Sequence, residues 1–392
     1  MGIAALSLFG CSQKKTITDD SAWLRNGIET AQFQLKMTAE AIDSKNIQDT
    51  AVFPRSILNP KPMAEKNPQN WIDSLRLEKP RDWTSGFFPG SMWLAYELTG
   101  DDTLKQEARK YTELLSDLQY YTGTHDLGFM VFCSFGNAYR LAPEAGDSAI
   151  IVNASKSLAS RYNPQKGVIR SWDFGEWTYP VIIDNMMNLE MLFWASQATQ
   201  DSTFRNIAIT HADNTMKFHY RPDMSCCHVV DYIDPTNDIT KQMTYQGYSD
   251  SSTWARGQAW GLYGYTLCFE ETNHSAYLER AQQIAKFIME NPAIPEDLIP
   301  YWDYNAPTIP DAPRDASAAA VTASALFELS TLVENGQTYF DYAEKIIKEL
   351  STPNYLAEKG TNNGFILKHS TGSLPHGSEI DVPLNYADYY LS

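Results

Sequence analysis

Trp83-Thr84-Ser85-Gly86-Phe87-Phe88-Pro89-Gly90 opens a segment that continues through Met92, Trp93, Leu94, Tyr96 and Leu98 and turns at Gly100-Asp101-Asp102. From Leu104 to Leu118 apolar residues recur at helical spacing with Lys, Arg and Glu between them. The first half is small, aromatic and almost without charge, which marks a helix buried on most sides. The second half is amphipathic, which marks a helix with one face in water. Gly and Asp at the junction supply a helix stop followed by a helix start. The unit is therefore a helical hairpin with one inner and one outer arm.

The same plan recurs along the chain. It starts again at Asp126 and turns near Pro143-Glu144-Ala145-Gly146-Asp147, then at Asp184 with a turn at Gln200-Asp201-Ser202. Further copies start at Trp254, turning at Asn273-His274-Ser275, and at Asp315, turning at Asn335-Gly336-Gln337. An earlier helical stretch, Ser21 to Ile42, completes the set, with the C-terminal segment closing the ring. Asp184 to Ala198 carries only Asp184 and Glu190 as charges, and Thr253 to Cys268 only Arg256. The contrast between arms predicts an all-α fold, an (α/α)6 barrel with an inner ring inside an outer one. A linear solenoid also uses helical hairpins, but its repeats are near-equal, whereas these vary in length and carry long insertions. Strand signals are confined to short β-branched runs in loops, Val181-Ile182-Ile183 and His228-Val229-Val230. We expect a leader and linker over 1–20 and a single catalytic domain over 21–392.

Of 392 residues, 31 are Lys or Arg and 48 are Asp or Glu, a formal net charge of −17. So acidic a surface argues against nucleic acid and anionic membranes as partners. An anionic substrate would need a local cationic pocket. The five cysteines, Cys11, Cys133, Cys226, Cys227 and Cys268, show no zinc-ligand spacing, so neither metal nor cofactor is expected. Cys226 and Cys227 read as small buried residues, not a redox pair. Residues Ile3 to Phe9 are apolar, and Leu8-Phe9-Gly10-Cys11 resembles a bacterial lipobox. That predicts a periplasmic or membrane-anchored lipoprotein, lipidated at Cys11.

The chemically unusual residues gather where inner helices begin: Trp83, His125-Asp126, Asp184-Asn185, Trp254 to Arg256, and Asp315. In a closed barrel all these starts share one rim, a concave place for a ligand. Asp184 follows an apolar run, so burial would raise its pKa and let it hold a proton; the alternative is a helix N-cap. Asp126 faces the same choice, and Asp315 reads as a cap. Arg256 either pairs with a structural carboxylate or forks onto a substrate carboxylate. Trp254, Trp260 and Trp172 either stack on a sugar or pack the core. His228 reads as a satisfied polar residue.

Together these motifs resemble a family. Gln246 to Gly261, which includes Trp254-Ala255-Arg256-Gly257-Gln258-Ala259-Trp260, is similar to the signature of the unsaturated glucuronyl hydrolases, glycoside hydrolase family 88. His125-Asp126-Leu127-Gly128-Phe129 and Asp184-Asn185-Met186-Met187-Asn188-Leu189 resemble its two catalytic-aspartate motifs, and Ser378 to Tyr390 resembles its C-terminus. The resemblance covers roughly Trp83 to the end. It implies an (α/α)6 barrel and substrates with a 4,5-unsaturated uronic acid at the non-reducing end, left by polysaccharide lyases. It implies Asp184 as general acid/base and Asp126 as second essential carboxylate. It places His228, Gln246, Trp254 and Arg256 around the unsaturated sugar, with Trp83, Trp172 and Trp260 as looser matches. Ser370 and Ser373 resemble residues that meet a substituent on the leaving sugar in sulfate-accepting members; a Lys expected there is replaced by Pro375 or His376. Chondroitin, hyaluronan, heparin, gellan and ulvan fragments stay open. Two other readings are an unsaturated rhamnogalacturonyl hydrolase acting on pectin fragments and a non-catalytic glycan-binding lipoprotein.

Overall fold

The computed structural model describes residues 21–45, 51–58, 67, 70–234 and 239–392. The expected leader, with Cys11, lies outside them. Helix α1 (Ala22–Ser44) comes first. Hairpins follow: α2 (Phe87–Thr99) with α3 (Asp102–Glu113), α4 (Asn137–Leu141) with α5 (Asp147–Ala159), and α6 (Leu189–Thr199) with α7 (Ser202–Phe218). Then come α8 (Ala255–Thr272) with α9 (Ser275–Glu290), α10 (Ala316–Leu332) with α11 (Gln337–Leu350), and finally α12 (Asn385–Leu391). The even-numbered helices pack side by side into an inner ring, which closes where α12 meets both α10 and α2. The odd-numbered helices pack outside their hairpin partners. This is the (α/α)6 barrel that the hairpin pattern predicts.

Burial explains the two rings. Eight consecutive residues of α8, Ala255–Leu262, are all buried, and so are eight of α10, Ala316–Ala323. Outer α9 buries one stripe, Tyr277, Ala281, Ile284, Ala285 and Ile288, as a half-exposed helix must. The turns fall where Gly, Gln and Asn were noted. Gly100, Gln200 and Asn273 adopt left-handed φ of 68°, 60° and 56° to end α2, α6 and α8. Asp101 and Asp201 then cap the next helices by accepting from the amides of Thr103 and Thr203, each at 2.9 Å.

Two inner segments depart from regular α-helix. The chain widens to a π-helix over Gly128–Gly136 before α4, and it tightens to a 3₁₀ turn over Ile183–Asn188 before α6. The two meet at close quarters: Asn188 Oδ1 accepts from the Phe129 amide at 3.1 Å. A Cβ on Gly128 would lie 2.6 Å from Asn188 Cα. Apolar periodicity over one or two turns does not separate these windings, so only the structure reveals them.

Strands β1 (Phe53–Ile57), β2 (Leu75–Glu78), β3 (Tyr162–Asn163) and β4 (Val168–Ile169) form two small antiparallel pairs. Strands β5 (Pro180–Ile182), β6 (Val229–Asp234) and β7 (Ile239–Met243) form a third sheet in that order. These last contain the β-branched runs of the sequence, with Val181 opposite Val230. They deliver Asp184 and His228 side by side, because the Ile183 amide donates to the His228 carbonyl at 3.1 Å.

Gly86, at the start of α2, sits where a Cβ would overlap the carbonyl oxygens of Phe129 and Met130. Backbone oxygens of a packed helix cannot swing aside. Gly86→Ala should therefore lower unfolding free energy by about 1–3 kcal/mol through overpacking, read as a lower urea midpoint with unchanged slope.

Candidate active site

The N-terminal ends of the inner helices and the loops before them enclose a cavity of about 620 Å³. Asp126, Asp184, Trp83, Trp172, Gln246 and Ser373 line it. The structure thus brings together six sequence-selected residues that span nearly 300 positions of chain.

Asp184 follows β5 and is only 6% exposed. Its side chain caps no helix, since Ile182 holds the N-cap position of the 3₁₀ turn; the capping alternative does not hold. Oδ2 is buried without a hydrogen-bond partner among the described residues. Burial pushes its carboxyl up to about 6; the nearby Asp126 charge adds to the rise, and His125 and Arg256 oppose it. His228 Nε2 lies 3.6 Å from Oδ2. His228 Nδ1 accepts from the amides of Tyr245 and Gln246 at 3.1 and 3.0 Å. Acceptance at Nδ1 puts the ring proton on Nε2, facing Asp184. Burial, aided by the Arg256 charge, lowers the His228 pKa far below its ordinary value, so the ring is neutral.

Asp126 stands differently. It caps nothing either; Leu127 is the N-cap of the π-helix and makes no side-chain cap. Thr124 Oγ1 donates to Asp126 Oδ2 at 2.5 Å, and His125 Nε2 lies 3.1 Å from Oδ1. Burial acts to raise this carboxyl, but His125, Thr124 and Arg161 together outweigh it and hold the pKa below the usual Asp value. One wall of the cavity therefore carries an acid that keeps its proton to about 6 and a neighbour that gives its proton up.

Arg256, Trp254, His228, Trp260 and Ser370 are not on the cavity wall. Arg256 is 1% exposed and donates to Asp315 Oδ2 at 2.6 Å and to the carbonyls of Thr371 and Gly372 at 2.7 and 2.6 Å. Its guanidinium lies over the rings of Trp254 and Tyr386, at 4.4 and 5.1 Å from their centroids. The structural pairing is the one realised: the terminal nitrogens meet a carboxylate and two carbonyls, while the buried Nε has no hydrogen-bond partner among the described residues. Asp315 also caps α10, accepting from the Ser317 amide at 3.1 Å. Trp254 sits between Arg256 and His228, its ring centroid 4.7 Å from that of His228. These residues back the wall. Trp260 belongs to the core, between Phe129 and Tyr390 at 5.3 Å each. Ser370 is buried, with its backbone paired to Val382.

Trp172 stacks on Phe174 at 4.8 Å and 20° and leans on Tyr245 at 5.3 Å. Trp83 packs against Tyr386 at 5.0 Å. Ser373 Oγ is 2.7 Å from His376 Nδ1, and the His376 ring lies 4.3 Å from that of Tyr245. Sequence reasoning missed two cations on the wall, Arg55 and Arg81. Arg55 forks onto Glu379 at 2.8 and 2.9 Å and also meets Asp82 at 2.9 Å. Arg81 is exposed, over the Tyr121 ring at 5.1 Å. Neither stands in an apolar helix, where the isolation of Arg256 had drawn the eye. Among the described residues no group of three His, Cys, Asp or Glu side chains could hold a metal ion.

A carboxyl raised to about 6 binds its proton more tightly folded than unfolded. Its contribution is complete below the unfolded pKa near 4, declines as pH rises to about 6, and leaves a buried charge above that. Asp184→Asn should therefore be more stable than the parent at pH 8, by about 1–3 kcal/mol. The gain should shrink at pH 4. Equal urea midpoints at pH 8 would contradict a desolvated carboxyl.

No family model matches the chain. An unsaturated glucuronyl hydrolase of Formosa agariphila is 48% identical over 314 residues, 79% of this chain and 78% of the relative. An unsaturated chondroitin disaccharide hydrolase of Streptococcus pyogenes is 33% identical, over 79% of each chain. A crystal structure of an unsaturated glucuronyl hydrolase specific for heparin superposes with a TM-score of 0.87 at 48% identity, over 95% of each chain. The barrel, the paired carboxylates and these likenesses agree: the chain belongs to the unsaturated glucuronyl hydrolases, glycosidases of glycoside hydrolase family 88.

Proposed function

We propose that the enzyme acts by hydrating the C4=C5 double bond of the terminal unsaturated uronic acid, with Asp184 as acid and base and Asp126 as a fixed negative charge. The carrying observation is the split between the two carboxyls, one raised to about 6 by burial and one held low by His125 and Thr124. Protonated Asp184 gives its proton to C4, and the double-bond electrons form the new C–H bond. Positive charge develops at C5 and the ring oxygen, where the Asp126 carboxylate stabilises it. Water adds at C5 and returns a proton to Asp184. The hemiketal opens, and the neighbouring sugar leaves from C1. The acid ends in the state in which it began, so no cofactor enters.

On this reading Trp172 and Trp83, on the cavity wall, face sugar rings, Gln246 hydrogen-bonds the uronate, and Ser373 with His376 meets the leaving sugar. Arg256 supports these contacts by fixing Gly372, whose carbonyl also accepts from Gln246 Nε2 at 3.2 Å. Glycosaminoglycan-lyase disaccharides are the proposed substrates. Heparin-derived ones come first, because the heparin-specific hydrolase is 48% identical. The leader motif supports a lipoprotein facing the periplasm. Labelling with a fatty-acid analogue should mark the parent and not Cys11→Ser.

The reaction destroys a conjugated double bond, so loss of ultraviolet absorbance reports it. Absorbance should fall with heparin or chondroitin disaccharides and persist with pectin fragments; the reverse would favour the rhamnogalacturonyl reading. The acid must be protonated, so kcat/KM should be level below about pH 6 and drop tenfold per unit above it. Asp184→Asn should lower kcat by about 10²–10⁴.

A further inference from the structure

Beneath the catalytic cavity, at the C-terminal side of the inner helices, lies a second one of about 570 Å³. It is nearly as large as the first. A single layer of rings divides them: Trp83 faces the catalytic cavity, and Phe129, 5.5 Å from it, faces the second. The π-helix over Gly128–Gly136 forms one wall, a winding that recurs at functional sites.

The lining is not that of an ordinary core void. Trp194 makes a tilted contact with Phe132 at 6.2 Å and an edge-to-face contact with Tyr139 at 5.4 Å, and Tyr139 is 39% exposed at the mouth. The Glu190 carboxyl and the hydroxyls of Tyr263 and Tyr390 also line the space; all three residues are half-buried and free to bond whatever fills it. Three such groups converging on one aromatic-lined cavity offer a polar guest hydrogen bonds in place of water. Arg140, the cation of this cavity, is already forked onto Glu97 at 2.5 and 2.7 Å. Burial, with Glu271 and Glu270 close by, pushes the Glu190 carboxyl up to about 7, so near neutral pH its protonated form is well populated and can donate as well as accept a hydrogen bond.

We propose that this second cavity binds an uncharged pyranose ring, with Trp194 against its face, Tyr139 closing its edge at the mouth, and Glu190, Tyr263 and Tyr390 bonding its hydroxyls. Aromatic faces take the C–H face of a sugar, and hydroxyl and carboxyl groups take its rim. An anionic sugar is disfavoured, because Glu270, Glu271 and Glu328 act on Glu190 with the same sign. The site is separate from the chemistry proposed above and stands whether or not that mechanism holds.

The test is titration of the intact protein with glucose, N-acetylglucosamine and glucuronate, followed by saturation-transfer NMR and calorimetry. The two uncharged sugars should bind and glucuronate should not bind at this site. Trp194→Ala should weaken binding at least tenfold and Tyr139→Ala, a change at an exposed ring that the fold tolerates, several-fold. Trp172→Ala, on the catalytic cavity, should leave it unchanged. Absence of binding by the folded parent would overturn the proposal. So would binding that survives both Trp194→Ala and Tyr139→Ala, or that is lost with Trp172→Ala alone.

Discussion

The buried pair of Arg256 and Asp315 holds the catalytic face together. Taking a guanidinium and a carboxylate out of water is costly, and the cost is offset by close pairing together with hydrogen bonds to the protons and lone pairs left over. Here the partners are distributed. Asp315 caps α10, Arg256 starts the first turn of α8, and the same guanidinium gathers the carbonyls of Thr371 and Gly372 from the C-terminal loop. Trp254 and Tyr386 close over its faces. Three separate elements are thus registered by one charge. Ser373, next in the loop, reaches the cavity only because Gly372 is held. Loss of one partner would strand the other charge, a penalty of about 3–5 kcal/mol, and would release a wall of the site as well.

The two carboxyls of the site acquire different characters from their backbones. Asp184 leaves a strand and enters a 3₁₀ turn, which sinks its Oδ2 beneath the surface beside a neutral histidine. Asp126 lies two residues before the π-helix, where Thr124 and His125 of the same loop can fold back onto it. Neither carboxyl spends its oxygens on capping a helix. The irregular windings that begin each inner arm are what keep these side chains free for chemistry: a regular α-helical start would invite each Asp to bond the amides two or three residues on.

Much of this was legible in the sequence. The hairpin plan could be read because inner and outer arms differ in charge, and because short polar turns at Gly100-Asp101-Asp102, Gln200-Asp201-Ser202 and Asn273-His274-Ser275 separate them. The rim could be read because Trp83, Asp126, Asp184 and Arg256 all sit at inner-arm starts. Whether Arg256 faces the ligand or a buried partner could not be read, since both readings need the same residue in the same apolar setting. Trp260 is similar: a tryptophan four residues after Arg256 lies on the same helix face, yet one turn deeper, and depth has no signature in sequence. Arg55 was invisible for another reason. It stands on a short strand far from any inner arm, and only pairing of β1 with β2 and with Glu379 brings it to the cavity.

Those arginines bear on the electrostatic problem set by a net charge of −17. A uronate must approach through a repulsive field, and the screening length at physiological salt is only about 8 Å. Cations need to act only near the mouth. Arg55 is neutralised by Glu379 and Asp82, and Arg256 by Asp315, so each orients dipoles without leaving net charge for a ligand. Arg81, exposed on the rim, is the lining guanidinium that forms no ion pair among the described residues. On the function proposed above, attraction at entry would rest on this one exposed cation, and retention on aromatic faces and neutral donors deeper in. Such a division suits turnover. A strong buried countercharge would hold the product uronate as firmly as the substrate, whereas a single rim arginine speeds arrival and leaves departure unhindered.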